Sequence, residues 1–404
     1  MITLYTPEPT PIEIDALKPR LEAVGSTGKS PFFHGAVEAL SEISKALLAA
    51  PDVRNVPQLV ALGYWLRRSA LVRMKQDFFN TVLSGRVMTA RGLAFHLAPA
   101  NVDTLFVYSW ALSLLAGNAN IVRLPSTMTS ASERLLKIIL DALNKTDEAE
   151  RHIFCSYDHT SSANREISAL SDLRMVWGGD AKVLSVSSDP VRPDGLSIGF
   201  PDRKSFAMIC TSAYANSDIA TRDQVAERLY NDMYWFDQLG CGSPRVLFWV
   251  GKPANLADDL YTRLTRIATA KGYEVETGIA INKFAYANDA AAAGMVRAAK
   301  RYNNTLTIIE TAGHRDASRA VQGGGLLWQK TVETPVEVAA FVDRQTQTVT
   351  HFGFEEDNLQ SLATALIGKG GYRLVPLGEA LAFEPTWDGL DFMLHMTRQI
   401  VVRG

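Results

Sequence analysis

The sequence predicts an α/β fold with two doubly wound parallel sheets, and three observations carry that expectation. From Gly92 onward, apolar strand-like runs alternate with helix-length segments, the spacing of parallel strands joined by crossover helices. A second alternating set starts near Lys204, just after GFPDR at 199–203. A chain of 404 residues also exceeds what one core usually supports. The expected division is 1–205 for N-terminal helices and a first sheet domain, 206–375 for a second, and 376–404 for a β-rich C-terminal segment.

In chain order, 31–50 reads as an amphipathic helix with Phe33, Val37, Leu40 and Ile43 on one face, closed by Pro51. Residues 60–83 read as one further helix, with Arg67, Arg68, Arg73 and Lys75 on its solvated side. GLAFHLAP is a buried strand, 102–116 a helix and 120–124 the next strand; Ser130 and Glu133 suggest a capping box for a helix to Leu143. HIFCSY, a helix over 164–171 and LRMVWGG continue the alternation. The second set runs SFAMICTSA, a helix over 218–239, RVLFWV, a helix over 254–272 and a helix over 290–301. NTLTIIET, QTVTHFGF and YRLVPLG follow as strands. There is no internal repeat and no low-complexity segment.

Composition narrows the function classes. Net charge is −2 with no block of like charges, so neither a nucleic-acid surface nor a polybasic membrane patch is indicated. The longest apolar run, 108–115, is broken by Gly117 and Asn118 and is too short to span a bilayer. Three widely spaced cysteines, Cys155, Cys210 and Cys241, fit reduced thiols of a cytoplasmic protein, with no disulfide framework and no metal site. The start, MITLYTPEPTPIEID, lacks the basic and apolar regions of a signal peptide.

The chemistry centres on YWFDQLGCGSPRVLFWVG, 234–251. A helix stops at Gly240, Cys241 follows between two glycines, and a buried strand begins. Glycines let backbone end a helix or pass close to a ligand, so a thiol there is accessible from a rigid base; the competing reading is a small buried hydrophobe. Cys155 and Cys210 lie in apolar strands and read as core. Tyr234, Trp235 and Phe236 either pack or line a channel to the thiol, and Trp177 reads as packing. His96 and His351 read as structural histidines, with a proton-carrier role at His351 as the sharper option. Glu355 and Glu356 border a ligand or face solvent.

No GxGxxG follows the first parallel strand. In its place stand HLAPANV (96–102), GNANIVRLPS (117–126) and MVWGGD (175–180). With Cys241 these resemble the aldehyde dehydrogenase superfamily, and within it the LuxC-like acyl-CoA (acyl-protein thioester) reductases. The motifs RGLAFHLAPANVDTLFVYSWALSLLAGNANIVRLPS, VWGGD, SPRVLF and GGYRLVPLGEA…DGLDFMLHMTRQIV carry the likeness. The resemblance implies an aldehyde-dehydrogenase-like fold whose C-terminal strands serve a homo-oligomer. It also implies that Cys241 is a nucleophile and that Asn101 is an oxyanion-hole donor; a turn residue capping the next helix is the other reading of Asn101. Arg123 and Ser126 would meet the adenosine ribose; a neutral Ser126 beside a cationic Arg123 favours NADPH, while a strand-end surface charge is the alternative for Arg123. Gly178 and Gly179 would let the pyrophosphate approach, and Asp180 would cap the helix there. Hydrolytic members carry a Glu in an ELGGK-like stretch where this chain reads GFPDRKSFAMI, which favours reduction of an acyl-enzyme over its hydrolysis. The implied partners are an acyl-CoA or acyl-protein thioester and an acyl-protein synthetase. Two other readings are NAD-dependent, CoA-acylating aldehyde oxidation and a non-catalytic acyl- or nucleotide-binding scaffold.

Overall fold

The computed structural model describes residues 1–6, 9–54, 56–99, 104–313 and 323–403. The chain forms two compact units: Met1–Pro201 with Phe383–Gly404, and Asp202–Ala382.

The first unit holds β1 (Ile2–Tyr5), β2 (Thr10–Ile12), β3 (Arg86–Ala90), β4 (Leu93–Leu97), β5 (Ala119–Arg123), β6 (His152–Ser156), β7 (Leu173–Trp177) and β8 (Leu196–Phe200). Its seven-stranded sheet runs β2-β1-β6-β5-β4-β7-β8. The strands from β6 to β8 are parallel, while β1 joins β6 and β2 in antiparallel pairs. Because side chains alternate across a strand, one sheet yields two cores. Leu93, Phe95 and Leu97 face Ile121, Ile153 and the helix Ile14–Gly25. Ala94, Val122 and Phe154 face the other way, under the helices Leu105–Leu115 and Ser130–Leu143. Over that layer lie the helices His34–Ala49, Pro57–Trp65 and Arg68–Thr81, which contribute Leu40, Leu62, Leu71 and Phe78.

The second unit holds β9 (Lys204–Cys210), β10 (Pro244–Val250), β11 (Val296–Arg301), β12 (Thr307–Thr311), β13 (Leu326–Val332), β14 (Thr346–Phe352) and β15 (Arg373–Pro376). The sheet order is β11-β12-β13-β10-β9-β14-β15, parallel except at β11. Phe206, Met208, Val246 and Phe248 fill one face; Ala207, Ile209, Leu247 and Trp249 fill the other. The tail adds β16 (Thr386–Trp387), β17 (Leu390–Asp391) and β18 (Thr397–Val401), with β18 antiparallel to β3. Among the described residues, no helix is long and apolar enough to cross a membrane.

Several elements differ from expectation. The single helix over 60–83 is two helices, because Arg67 is extended at the junction. VRAAKR, expected as helix, is the edge strand β11, pairing with β12. The helix expected to reach Leu239 ends at Tyr234, since Asp237 and Gln238 turn left-handed (φ 56° and 62°). The cap before Leu143's helix is Thr129, whose hydroxyl accepts from the Ser132 N–H at 3.1 Å, instead of a Ser130–Glu133 box.

Candidate active site

Cys241 is exposed and takes part in no disulfide, while Gly240 and Gly242 beside it are less open to solvent. Its turn is pinned from beneath. Ser205 Oγ donates to the Cys241 carbonyl at 2.7 Å. The buried Gln238 amide donates to the carbonyls of Pro244 and Leu326 at 2.9 and 2.8 Å, fixing the left-handed bend that leads into the turn. Space requires glycine at 242 and is tight at 240. A Cβ on Gly242 would lie 2.4 Å from the Ala380 carbonyl oxygen, and one on Gly240 3.2 Å from Leu381 Cδ2.

The 378–381 segment packed on those glycines is itself held by Asp232 at the back. The Asp232 carboxylate accepts from the Gly378 N–H at 2.8 Å and the Ala380 N–H at 2.9 Å. Burial pushes its pKa up to about 7, against the pull of those two donors. A line of contacts thus runs from Asp232 through this segment to the thiol turn. Gly242→Ala should move the turn and cut acylation of Cys241 by about a hundredfold, with only a modest fall in melting temperature. Quantified acyl transfer beside a thermal melt checks this; unchanged acylation would show that the close approach does not position the thiol.

Arg245, at the start of β10, supplies a cation. Its guanidinium donates to the Arg203 carbonyl at 2.8 Å. Burial lowers its pKa, while the charges of Cys241 and Asp202 raise it. That coupling is mutual, so the same guanidinium favours a Cys241 thiolate. Cys155 contrasts with it: fully buried, with its thiol pushed up to about 12 by burial, it is inert core. Cys210 is half-buried at the end of β9, its sulfur 3.3 Å from Ser212 Oγ, and is less enclosed than expected.

The thiol turn lies at the amino ends of β9 and β10. His351 lies near the carboxyl end of β14, which runs parallel to β9 from Thr346 beside Lys204. A strand length, about 20 Å, separates the two ends, so His351 is no proton carrier for this thiol. Glu355 and Glu356 cap and begin the helix after β14 and face solvent. Tyr234 is core, with its hydroxyl donating to the Thr305 carbonyl at 3.0 Å, and does not line a channel. Trp177 stacks on Phe200 at 3.9 Å, as packing. His96 is buried and hydrogen-bonded to Ser109 and Asn120, as a structural histidine should be.

In the first unit the strands β6-β5-β4-β7-β8 reverse their order of addition between β4 and β7. Crevices outside the carboxyl ends of strands at such a reversal are where open α/β sheets bind ligands. Arg123 ends β5, with one guanidinium nitrogen donating to the Tyr157 carbonyl at 3.2 Å and the group 5.0 Å from the Tyr157 ring. Its buried Nε meets no hydrogen-bond partner among the described residues. Ser126 is exposed in the loop that follows. Gly178 and Gly179 leave β7; Gly179, not Asp180, is the N-cap of the helix Asp180–Ser187, so the Asp180 carboxylate stands in the first turn. Asn101 lies outside the described residues.

Sequence reading did not assign Arg245, Asp232 or Gln238, nor Lys182 in the first unit. Arg245 had a visible signal, as the one charge in the otherwise apolar PRVLFWV. The others acquire meaning only from contacts distant in sequence.

The family described as acyl-CoA reductase (LuxC) matches residues 76–399. The chain belongs to that family. Membership makes this acyl-CoA reductase homologue an oxidoreductase acting at the acyl–aldehyde level. No curated protein sequence matches it. Solved structures place its fold among the aldehyde dehydrogenases. Methylmalonate-semialdehyde dehydrogenase from Oceanimonas doudoroffii aligns at TM-score 0.69 and 12% identity, over 96% of this chain and 90% of that one. A Thermus 1-pyrroline-5-carboxylate dehydrogenase with bound NAD aligns at 0.67 and 11%, over 99% and 89%. A glyceraldehyde-3-phosphate dehydrogenase from Methanocaldococcus jannaschii, complexed with NADP, aligns at 0.66 and 12%, over 97% and 95%. At these identities the likeness concerns the fold, so the acyl-CoA reductase assignment rests on the family match.

Proposed function

We propose that the chain reduces an acyl thioester, acyl-CoA or acyl-protein, to the aldehyde with NADPH through an acyl–Cys241 intermediate. The observation that carries this is the exposed thiol in a glycine-flanked turn, electrostatically coupled to the Arg245 guanidinium. The Cys241 thiolate attacks the thioester carbonyl, the bond to the donor sulfur breaks, and that sulfur leaves with the electron pair. The Cys241 N–H and the Asn101 side-chain amide would stabilise the oxyanion. Bound NADPH supplies a hydride to the acyl carbon. Collapse then breaks the carbon–sulfur bond, returns the electron pair to Cys241 and releases the aldehyde.

The first domain's residues suit a dinucleotide. Arg123 has a buried N–H without a partner among the described residues, and the absence of a side chain at Gly178 makes room for the Lys182 stem, since a Cβ there would lie 2.6 Å from Lys182 Cδ. Arg123, Ser126, Gly178, Gly179 and Asp180 would border it, and no carboxylate ends β5 to repel a 2′-phosphate. The absence of a glutamate in 199–209 supports release of aldehyde over acid. The β3–β18 ribbon, with Val87, Ile400 and Val401 about half exposed, fits a homo-oligomer contact, and an acyl-protein synthetase fits as acyl donor.

The test mixes the purified protein with acyl-CoAs of graded length and follows NADPH absorbance and acyl label on Cys241. Label without NADPH, chased to aldehyde when NADPH is added, is expected; label lost as free acid would sink the reductase reading. Arg245→Gln should slow iodoacetamide alkylation of Cys241 near neutral pH by about tenfold, with Arg245→Lys intermediate. The pH profile of alkylation, read by mass spectrometry at that site, would refute the pairing if it did not move.

A further inference from the structure

Lys182 stands two residues into the helix that follows β7, at the reversal between β4 and β7. Its aliphatic stem lies over Gly178, where any Cβ would strike Lys182 Cδ at 2.6 Å. Its ammonium reaches across to the loop after β4 and donates to the Ala98 carbonyl at 3.2 Å. Ala98 is in turn tied to β5, since its N–H donates to the Arg123 carbonyl at 3.3 Å. The Lys182 ammonium and the Arg123 guanidinium therefore gather around the ends of three strands, and they repel each other: burial first, then Arg123, lowers the Lys182 pKa to about 8. Neither cation forms an ion pair among the described residues. Asp158, whose carboxylate feels the Arg123 charge, is engaged with the Thr160 N–H and hydroxyl at 2.8 and 2.6 Å.

Two like charges held together at the mouth of a sheet cost free energy unless an anion joins them. A residue ending the second strand of such a fold meets the adenosine ribose, where an arginine accommodates a 2′-phosphate. We propose that Lys182 and Arg123 together clamp the 2′-phosphate of NADPH, making Lys182 a determinant of cofactor choice. This rests on the reading that the first unit holds a nicotinamide dinucleotide.

Equilibrium binding of NADPH, NADH and adenosine 2′,5′-bisphosphate, by calorimetry or fluorescence, tests it without turnover. Lys182→Gln should weaken NADPH and the bisphosphate by about tenfold to a hundredfold and NADH by less than about threefold. Lys182→Arg should retain the preference for NADPH, and unchanged melting temperatures would show that both variants fold. Equal losses for NADPH and NADH would overturn the proposal by assigning Lys182 to the pyrophosphate, and undiminished NADPH binding would overturn it outright. If the wild type binds neither dinucleotide, the cofactor reading falls and this proposal with it. If the wild type binds NADPH while Lys182→Gln binds it as well, this proposal alone fails.

Discussion

Cys241→Ala is expected to abolish acyl-enzyme formation and to reduce NADPH consumption by on the order of 10⁴-fold or more, the scale on which loss of a covalent nucleophile acts. The expectation is specific to this thiol. Cys155 is enclosed in the first unit's core with its proton held tightly, and Cys210 leans on Ser212 at the opposite end of β9 from the Cys241 turn. Cys210→Ser should therefore leave label and turnover close to wild type. The measurement is acyl label mapped by peptide mass spectrometry alongside NADPH absorbance. Label persisting in Cys241→Ala at another residue would show that the nucleophile lies elsewhere. Turnover that disappears with label intact would point to a defect after acylation. Because the Cys241 carbonyl and the flanking glycines hold the turn, a melting temperature close to wild type is expected for Cys241→Ala, and a thermal melt checks it.

A second large effect concerns acid. His96 and His152 are buried in the first unit, and burial lowers their pKa values to about 4 and about 3. The hydrogen-bond network assigns their tautomers. Asn120 directs its amide nitrogen to the Asn118 carbonyl at 3.0 Å and to His152 Nδ1 at 3.1 Å, so its oxygen accepts from His96 Nε2 at 2.9 Å. Trp110 also donates to His152 Nδ1, at 3.3 Å. A proton on that nitrogen would displace both donors. Unfolded, each histidine binds a proton below about pH 6.5; folded, neither does until far lower. The unfolded state therefore gains protons as pH falls through 6.5, and stability drops with a slope approaching about 2.7 kcal/mol per pH unit for the pair. Denaturant titrations between pH 6.5 and 5 measure that slope when followed by a probe in the first unit. Asp232 of the second, with its pKa pushed up to about 7, takes up a proton in the folded state over the same range and acts with the opposite sign. Segment-resolved hydrogen exchange should assign the loss to β4, β5 and β6. A slope below that of one proton would show that the pair charges without unfolding.

The parts legible in the sequence were those that depend on local pattern. Alternating apolar runs announced both parallel sheets, and the glycine pair announced the thiol turn. The misplaced elements have non-local causes. Val296–Arg301 is rich in residues comfortable in helices, yet it becomes a strand because Thr307–Thr311 offers it a free edge. Ile2–Tyr5 is four residues long and has meaning only against β6, some 150 positions later. The early end of the helix at Tyr234 follows from the Gln238 amide reaching Leu326, which no window of neighbouring residues contains. The same reason hides Lys182 and Asp232: each is an ordinary charged residue until the fold places Arg123 beside one and the backbone of 378–380 beside the other.

The first unit is made from both ends of the described chain, with the second inserted between Pro201 and Phe383. This imposes an order on synthesis. As the chain leaves the ribosome, the strands of the inserted unit can close among themselves, because every partner of β9 to β15 lies within Asp202–Ala382. The first unit must wait. Phe392, which packs against Tyr108, Trp177 and Phe200, and β18, which covers β3, are delivered only after the whole inserted unit. Until they arrive, its aromatic cluster stays open to chaperones and to neighbouring nascent chains. A ribosome stalled once Ala382 has emerged would therefore display a finished thiol-bearing unit tethered to an unfinished one.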